Sequence, residues 1–89
     1  MVATIHRLLV VKSKTGLSRL TIYLQITQGL WIKPIRLGAR AVGWPAHEVE
    51  ALNAARIAGK SDEEIRELVL KLIAARKSFA KEVIRQPRL

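Results

Sequence analysis

The sequence has no cysteine, only two histidines and a single aspartate, Asp62, among its 89 residues. Without cysteine, the chain has no disulfide, no thiol nucleophile and no cysteine-based zinc site. His6 and His47 are far apart, and the segment 47–50 supplies too few ligands for a closed metal site. No acid/base pair or activated nucleophile is recognisable. We therefore expect a non-enzymatic protein with no metal, no cofactor and no small-molecule substrate.

Long apolar runs are also missing. No segment reaches the roughly 18 consecutive apolar residues typical of a membrane span, and the apolar segment 1–11 is interrupted by His6 and Arg7. This pattern predicts neither a signal peptide nor a transmembrane helix. With 49% hydrophobic and 26% charged residues, the composition is that of a soluble folded chain. We expect one small cytoplasmic domain with an additional element and no membrane partner.

Acidic residues are absent from the first half of the chain. Residues 1–47 contain seven lysines and arginines and no acid, whereas residues 48–89 contain nine bases and seven acids. A solvated basic face is the simplest interpretation of such a segment. A net charge of +9, concentrated in one half, is more typical of a protein that binds a polyanion, most often nucleic acid. Because single-stranded RNA is recognised through exposed aromatic residues, which are scarce here, double-stranded DNA is the expected partner.

The first half predicts two short helices joined by a turn. The segment 7–11 fits either a strand or the start of a helix, and the segment 11–16 fits a first helix that ends at Gly16. A second helix follows, with Ser18 as its N-cap and Gly29 at its end. A glycine-containing turn between two helices is the pattern of a helix-turn-helix, although it also occurs in helical proteins that do not bind DNA.

A hairpin and a third helix are predicted next. Residues 35–37 and 41–44 alternate apolar positions around the turn 38–40, which predicts two short strands with Arg40 near the tip. Pro45 suits the start of a third helix. The residues expected on the core side of this helix are Val49, Leu52, Arg56 and Ile57. A helix-turn-helix followed by a basic hairpin predicts a mainly α fold with a small β-hairpin wing, the winged helix-turn-helix.

A family resemblance rests on several segments: Thr15-Gly16-Leu17-Ser18-Arg19, Thr21-Ile22-Tyr23, Gly29, Lys33-Pro34, the stretch 36–44 and Glu48-Val49-Glu50-Ala51. Over about residues 5–58 the sequence resembles the AlpA family of prophage transcriptional regulators, small relatives of excisionases and of MerR-like winged-helix domains. The resemblance implies a sequence-specific DNA-binding regulator of transcription or a recombination accessory factor. It also implies that the second helix, about residues 18–28, enters the major groove. The wing, residues 35–44, would then lie along the DNA backbone or the minor groove.

The outward side of the second helix departs from that family. Helical spacing turns Ile22 and Ile26 toward the core and Leu20 and Leu24 outward. The family usually has small or basic residues at the positions of the two leucines. These leucines either contact thymine methyl groups or belong to a protein contact, and the sequence leaves both possibilities open.

The predicted DNA contacts are lysines and arginines of the first half of the chain and polar residues of the second helix. They are Lys12, Lys14, Ser18, Arg19, Thr21, Tyr23, Gln25, Gln28, Lys33, Arg36 and Arg40. The alternative hypothesis is a non-enzymatic protein-interaction module, in which the leucine-rich helix face and an apolar C-terminal stripe serve an assembly and DNA is not read.

The last third of the chain predicts a long amphipathic helix. Ser61 and Glu64 form a capping box, and the helix is expected over residues 62–85. The chain therefore divides into a winged DNA-binding domain at 1–58 and a C-terminal helix at 59–89. This helix either folds back as a lid or pairs with a second chain, and we favour a homodimer. The residues expected in the dimer interface are Ile65, Leu68, Leu72 and Phe79.

Overall fold

Three short strands are interleaved with four helices in the part of the chain that the computed structural model describes, residues 4–85. In chain order the elements are β1 (Ile5–Arg7), α1 (Leu8–Thr15), α2 (Arg19–Thr27), β2 (Ile35–Arg36), β3 (Val42–Pro45), α3 (Ala46–Ile57) and α4 (Asp62–Arg85). The expected fold class is confirmed, because this is a mainly helical winged-helix arrangement followed by a long C-terminal helix. The outer ends of the two predicted domains, 1–3 and 86–89, lie outside the described residues.

The sheet contains one strand more than the predicted hairpin. β1 pairs antiparallel with β3, with His6 opposite Trp44, and β2 pairs with the other edge of β3. α1 begins directly after β1, at Leu8 rather than Val11. The ambiguous segment 7–11 therefore contains both the end of a strand and the start of a helix. A strand of three residues is too short for hydrophobic periodicity to reveal.

The turn between α1 and α2 has the predicted glycine and the predicted cap. Gly16 adopts a φ of 73°, and its N–H donates to the carbonyl oxygen of Lys12 at 2.8 Å, which ends α1. The Ser18 hydroxyl oxygen then accepts the N–H of Thr21 at 3.1 Å, which starts α2. These two local devices fix the direction in which α2 leaves the turn.

The core lies where the sheet meets α1, α2, α3 and the first turns of α4. Trp44 is fully buried, and its indole N–H donates to the carbonyl oxygen of Ile32 at 2.7 Å. The expectation that Ile57 faces the core is wrong, since its side chain is 87% exposed. Helical spacing turns it away from the side of α3 that buries Val49 and Leu52. The buried apolar residues are Val11, Ile22, Trp31, Ile32, Trp44, Val49, Leu52, Ile65 and Val69.

The long helix α4 is docked along its first half and projects along its second. Its capping box is present, because the Ser61 N–H donates to a Glu64 carboxylate oxygen at 2.9 Å and the Glu64 N–H donates to the Ser61 hydroxyl at 3.2 Å. Ile65 and Val69 are only 5% exposed and belong to the core. Farther along, Phe79 is 47% exposed. No helix among the described residues is both long and apolar enough to cross a bilayer.

A buried ion pair fastens the middle of α4 to the winged domain. The Glu48 side chain in the first turn of α3 is fully buried, and the Arg76 guanidinium donates to both of its carboxylate oxygens at 2.7 to 3.1 Å. The same guanidinium donates to the carbonyl oxygen of Lys33 at 2.7 Å. Arg76 therefore connects α4, α3 and the segment that leads into β2. Sequence spacing gave no signal for this long-range pair.

Candidate nucleic-acid interface

The outward side of α2 is the most distinctive exposed surface of the basic half. Ile22 is fully buried and fixes the inward side, while Leu20 is 78% and Leu24 is 53% exposed. Gln28, one turn after Leu24, is exposed as well. Because residues four positions apart lie on the same side of a helix, Leu20, Leu24 and Gln28 form one continuous ridge.

The first turn of α2 carries a network of polar and aromatic side chains. The hydroxyl of Ser18 donates to that of Thr21 at 2.9 Å, so these two predicted contact residues are bonded to each other. The guanidinium of Arg19 lies 5.7 Å from the centroid of the Tyr23 ring, within the range of a cation–π contact. The Tyr23 ring packs edge-on against Trp44, with ring centroids 6.4 Å apart. Tyr23 is therefore half-buried, and it holds Arg19 at the start of the outward side.

Gln25 was expected among the DNA contacts, but the structure does not bring it to the outward ridge. Its side-chain oxygen accepts a hydrogen bond from the guanidinium of Arg56 on α3. Arg56 also donates to the carbonyl oxygen of Leu30 at 3.0 Å and lies 5.7 Å from the centroid of the Trp31 ring. Gln25 thus links α2 to α3, and the partner it uses could not be read from helical spacing.

A second arginine holds the end of α2 from the side of α4. Arg66 donates from Nε to the carbonyl oxygen of Gln28 at 2.9 Å. Its aliphatic stem packs beside Gly29, where φ is 76° and an added Cβ would lie 3.5 Å from the Arg66 side chain. The backbone of Gln28 is therefore fixed while its side chain stays exposed. Both the third and the fourth helix contribute to the orientation of α2.

The wing presents the second group of predicted contacts. The N–H of Leu37 donates to the carbonyl oxygen of Ala41 at 2.7 Å, which closes the turn between β2 and β3. Arg36 on β2 and Arg40 in the turn are both exposed, as is Lys33 just before β2. The hairpin and the position of Arg40 near its tip agree with the sequence prediction. Exposed lysine and arginine side chains of this kind are the ones that bind DNA phosphates.

The two lysines of α1 have a structural role of their own. Lys12 and Lys14 lie in the last turn of α1, where positive charge complements the negative end of the helix dipole. Lys14 is exposed, and its carbonyl oxygen accepts a hydrogen bond from the Asn53 side chain at 3.0 Å. This bond joins α1 to α3 and leaves the Lys14 ammonium free to point outward.

Among the residues that the structure describes, no lysine or arginine of the basic half forms a salt bridge with an acid. Glu48 is the first acid in the chain, and its carboxylate is already bound by Arg76. Glu64 stands in the capping box of α4, where the backbone N–H and hydroxyl of Ser61 lower its pKa. Within residues 4–85 no group of three or more histidine or acidic side chains is arranged to hold a metal ion.

An apolar groove of about 530 Å³ lies between the sheet and the projecting half of α4. Its apolar lining comes from Ile5, Ile35, Pro45, Ala75, Phe79 and Ala80. The groove exists because α4 continues past the body of the winged domain, so the helix side that buries Ile65 has nothing from the same described chain to cover it near Phe79.

A comparison with protein families gives one match. The model described as Prophage CP4-57 regulatory protein (AlpA) matches residues 4–57, which is nearly the segment over which the sequence resembles that family. The match covers β1 through the end of α3 and leaves out α4. Comparisons with curated proteins and with solved structures gave no significant match.

Proposed function

Because the chain belongs to the AlpA family of prophage regulatory proteins, we propose that it binds double-stranded DNA as a transcriptional regulator or recombination accessory factor. The observation that carries the proposal is the exposed ridge of α2, which stands on a half of the chain that holds seven bases and no acid. A helix is the element that the major groove of B-DNA admits, and the second helix of a helix-turn-helix is the one that enters it.

The proposed contacts divide into two groups by position. Arg19, Thr21 and Gln28 lie on α2 or at its end, where they reach base edges or the phosphates beside the groove. Arg36 and Arg40 belong to the wing, and Lys33 lies just before it. All three meet phosphates or a narrow minor groove. Two other predicted contacts also support this side of α2, because Ser18 caps the helix and the Tyr23 ring holds Arg19.

We also propose that two copies pair through the projecting half of α4. Ile65 is almost fully buried within one chain, and Leu68 and Leu72 are half-buried against its core, so they have little surface to offer a partner. Phe79 is the predicted interface residue that remains open, and it lines the apolar groove. A second copy supplies the same apolar helix side, which makes the contact self-complementary, as a two-fold interface requires.

The DNA proposal is tested by fluorescence polarisation with a random duplex over a series of salt concentrations. If the basic half meets phosphates, log affinity falls linearly with log salt, with a slope of about −4 to −5 for about four to six contacts. Arg40→Ala should weaken binding to all duplexes alike and reduce the slope by about one unit. The control is Lys71→Ala, which removes an exposed base from α4 instead of the wing. Absence of binding at low salt, or a flat salt response, contradicts the proposal.

The alternative function is a protein-interaction module, and the exposure of Leu20 and Leu24 is the observation that favours it. Leu24→Arg separates the two functions. If α2 faces the major groove, the added arginine strengthens nonspecific DNA binding. If the leucines fill a protein contact, the variant loses its oligomer in sedimentation velocity and gains no affinity for DNA, because a charge has replaced a buried apolar group.

A further inference from the structure

An open cleft lies on the outward side of the first turns of α2. It is lined by Arg19, Leu20 and Tyr23 and has a volume of about 250 Å³. Leu20, whose side chain is 78% exposed, gives the cleft an apolar wall, and Tyr23 also lines it. Arg19 stands over that ring, 5.7 Å from its centroid, so a positive charge lies at the edge of the cleft.

The cleft is held in shape before any ligand arrives. Ser18 caps the helix immediately before Arg19, and the packing of Tyr23 against Trp44 fixes the ring from behind. Ile22, between Leu20 and Tyr23 in sequence, is fully buried and sets the rotation of the helix. The exposure of Leu20 is therefore imposed by the fold and is not a consequence of a loosely packed helix.

The chemistry of the cleft selects among the groups that a major groove displays. Leucine has no hydrogen-bond donor or acceptor, so it gains nothing from the polar edge of a guanine, a cytosine or an adenine. Thymine is the base that presents an apolar group there, its C5 methyl. The neighbouring guanidinium matches the phosphates that line the groove on either side.

We propose that this cleft recognises a thymine in the major groove, with the C5 methyl seated between Leu20 and Tyr23 and Arg19 bound to an adjacent phosphate. The inference rests on the proposed DNA-binding function and adds a base preference to it. The position supports it, because the N-terminal residues of a recognition helix are the ones that approach base edges. The charge supports DNA as the occupant over an apolar protein surface, since the cleft edge is basic and residues 1–47 contain no acid.

The test exchanges thymine for deoxyuridine, which removes the methyl group and keeps the charge and hydrogen-bonding groups of the base. A preferred duplex is first selected from a random pool with the full chain. Each thymine is then replaced singly by deoxyuridine, and affinity is measured at one fixed salt concentration. At one or two positions we expect affinity to fall about fourfold, the factor that corresponds to about 0.8 kcal/mol for one buried carbon.

Two variants assign that loss to the cleft. In Leu20→Ala the sensitive positions should no longer distinguish thymine from deoxyuridine, while the salt slope stays unchanged. Alanine favours helix, so α2 should persist, and circular dichroism checks this. The matched control is Ile57→Ala, which shortens another strongly exposed apolar side chain outside α2 and should preserve the fourfold loss.

The outcomes separate this inference from the proposed function. Salt-dependent binding in which no thymine is sensitive to the exchange, or in which Leu20→Ala keeps the same sensitivity, overturns the thymine contact and leaves DNA binding intact. If Leu20→Ala loses the oligomer but keeps its affinity for both the thymine and the deoxyuridine duplex, Leu20 belongs to a protein interface. That outcome also overturns the thymine contact. No binding to any duplex at low salt overturns both proposals.

Discussion

The helices α2 and α4 both expose large apolar side chains, but those of α2 lie on the side away from the core, whereas Phe79 of α4 lies on the side that faces the core. On α2 the exposed leucines, Leu20 and Leu24, lie away from the side that buries Ile22. On α4 the exposed Phe79 continues the side that buries Ile65 about four turns earlier. Exposed apolar residues thus arise in two different ways in this chain.

This difference indicates what each surface requires. The apolar stripe of α4 is a core-facing side that extends past the domain it covers, and this extension is the basis of the proposed pairing with a second copy. The leucines of α2 lie opposite the core in the basic half, so the proposed partner is one that accepts apolar contact and positive charge together. DNA satisfies both conditions through its thymine methyl groups and its phosphates.

The largest expected effect concerns the ion pair that fastens the middle of α4 to the winged domain. Arg76→Met removes the partner of the fully buried Glu48 carboxylate but keeps most of the apolar stem. Because an unpaired buried charge remains, we expect the free energy of unfolding to fall by about 3 to 5 kcal/mol. Urea denaturation measures it. Lys77→Met, at the exposed neighbouring position, serves as the control and should change stability little. Equal effects of the two variants would show that α4 is not anchored by this pair.

The next prediction contrasts two apolar residues on the same side of α4. Ile65→Ala should lower the free energy of unfolding by about 2 to 4 kcal/mol, since Ile65 is 5% exposed in the core. Phe79→Glu should leave the stability of the single chain nearly unchanged, because Phe79 is 47% exposed, but it should shift the chain toward monomer. Thermal denaturation at low protein concentration and sedimentation velocity measure the two effects.

The matched control for Phe79→Glu is Leu70→Glu. Leu70 is 67% exposed and lies on a different side of α4, so the same kind of charge is introduced away from the groove. This variant should keep the oligomer. A wild-type chain that is monomeric at all concentrations, or loss of the oligomer in both variants, would contradict pairing through the groove.

The contrast between local and long-range signals also explains what the sequence could predict. The bounds of α4 follow from its capping box and a long periodic pattern, and the turn into α2 follows from Gly16 and Ser18. The caps lie within a few residues of the helix ends that they specify, and the periodic pattern lies within α4 itself. The glycine turn and the hairpin pattern predict the winged arrangement, and the family match to residues 4–57 agrees with the resemblance to AlpA.

What escaped prediction depends on residues far apart in the chain. The strand β1 is three residues long and exists because β3 offers it an edge. Gln25 binds Arg56, which lies 31 residues away in sequence, and Glu48 binds Arg76, which lies 28 residues away. Charge and helical spacing identify such residues as polar, but only the packing of the helices decides whether they face solvent, DNA or each other.

The smallest expected effect concerns the first turn of α4, where the pKa of Glu64 is lowered mainly by the N–H of Ser61, with help from the Ser61 hydroxyl. A carboxylate whose pKa is lower in the folded state stabilises the fold above its unfolded pKa and loses that contribution as pH falls through its folded pKa. The melting temperature should therefore drop slightly more steeply on acidification in the wild type than in Glu64→Gln. Glu63→Gln makes the same charge change at the neighbouring residue, which takes no part in the two capping-box bonds, and should keep the wild-type slope. Identical pH profiles for the wild type and Glu64→Gln would show that the capping box does not couple protonation to the stability of α4.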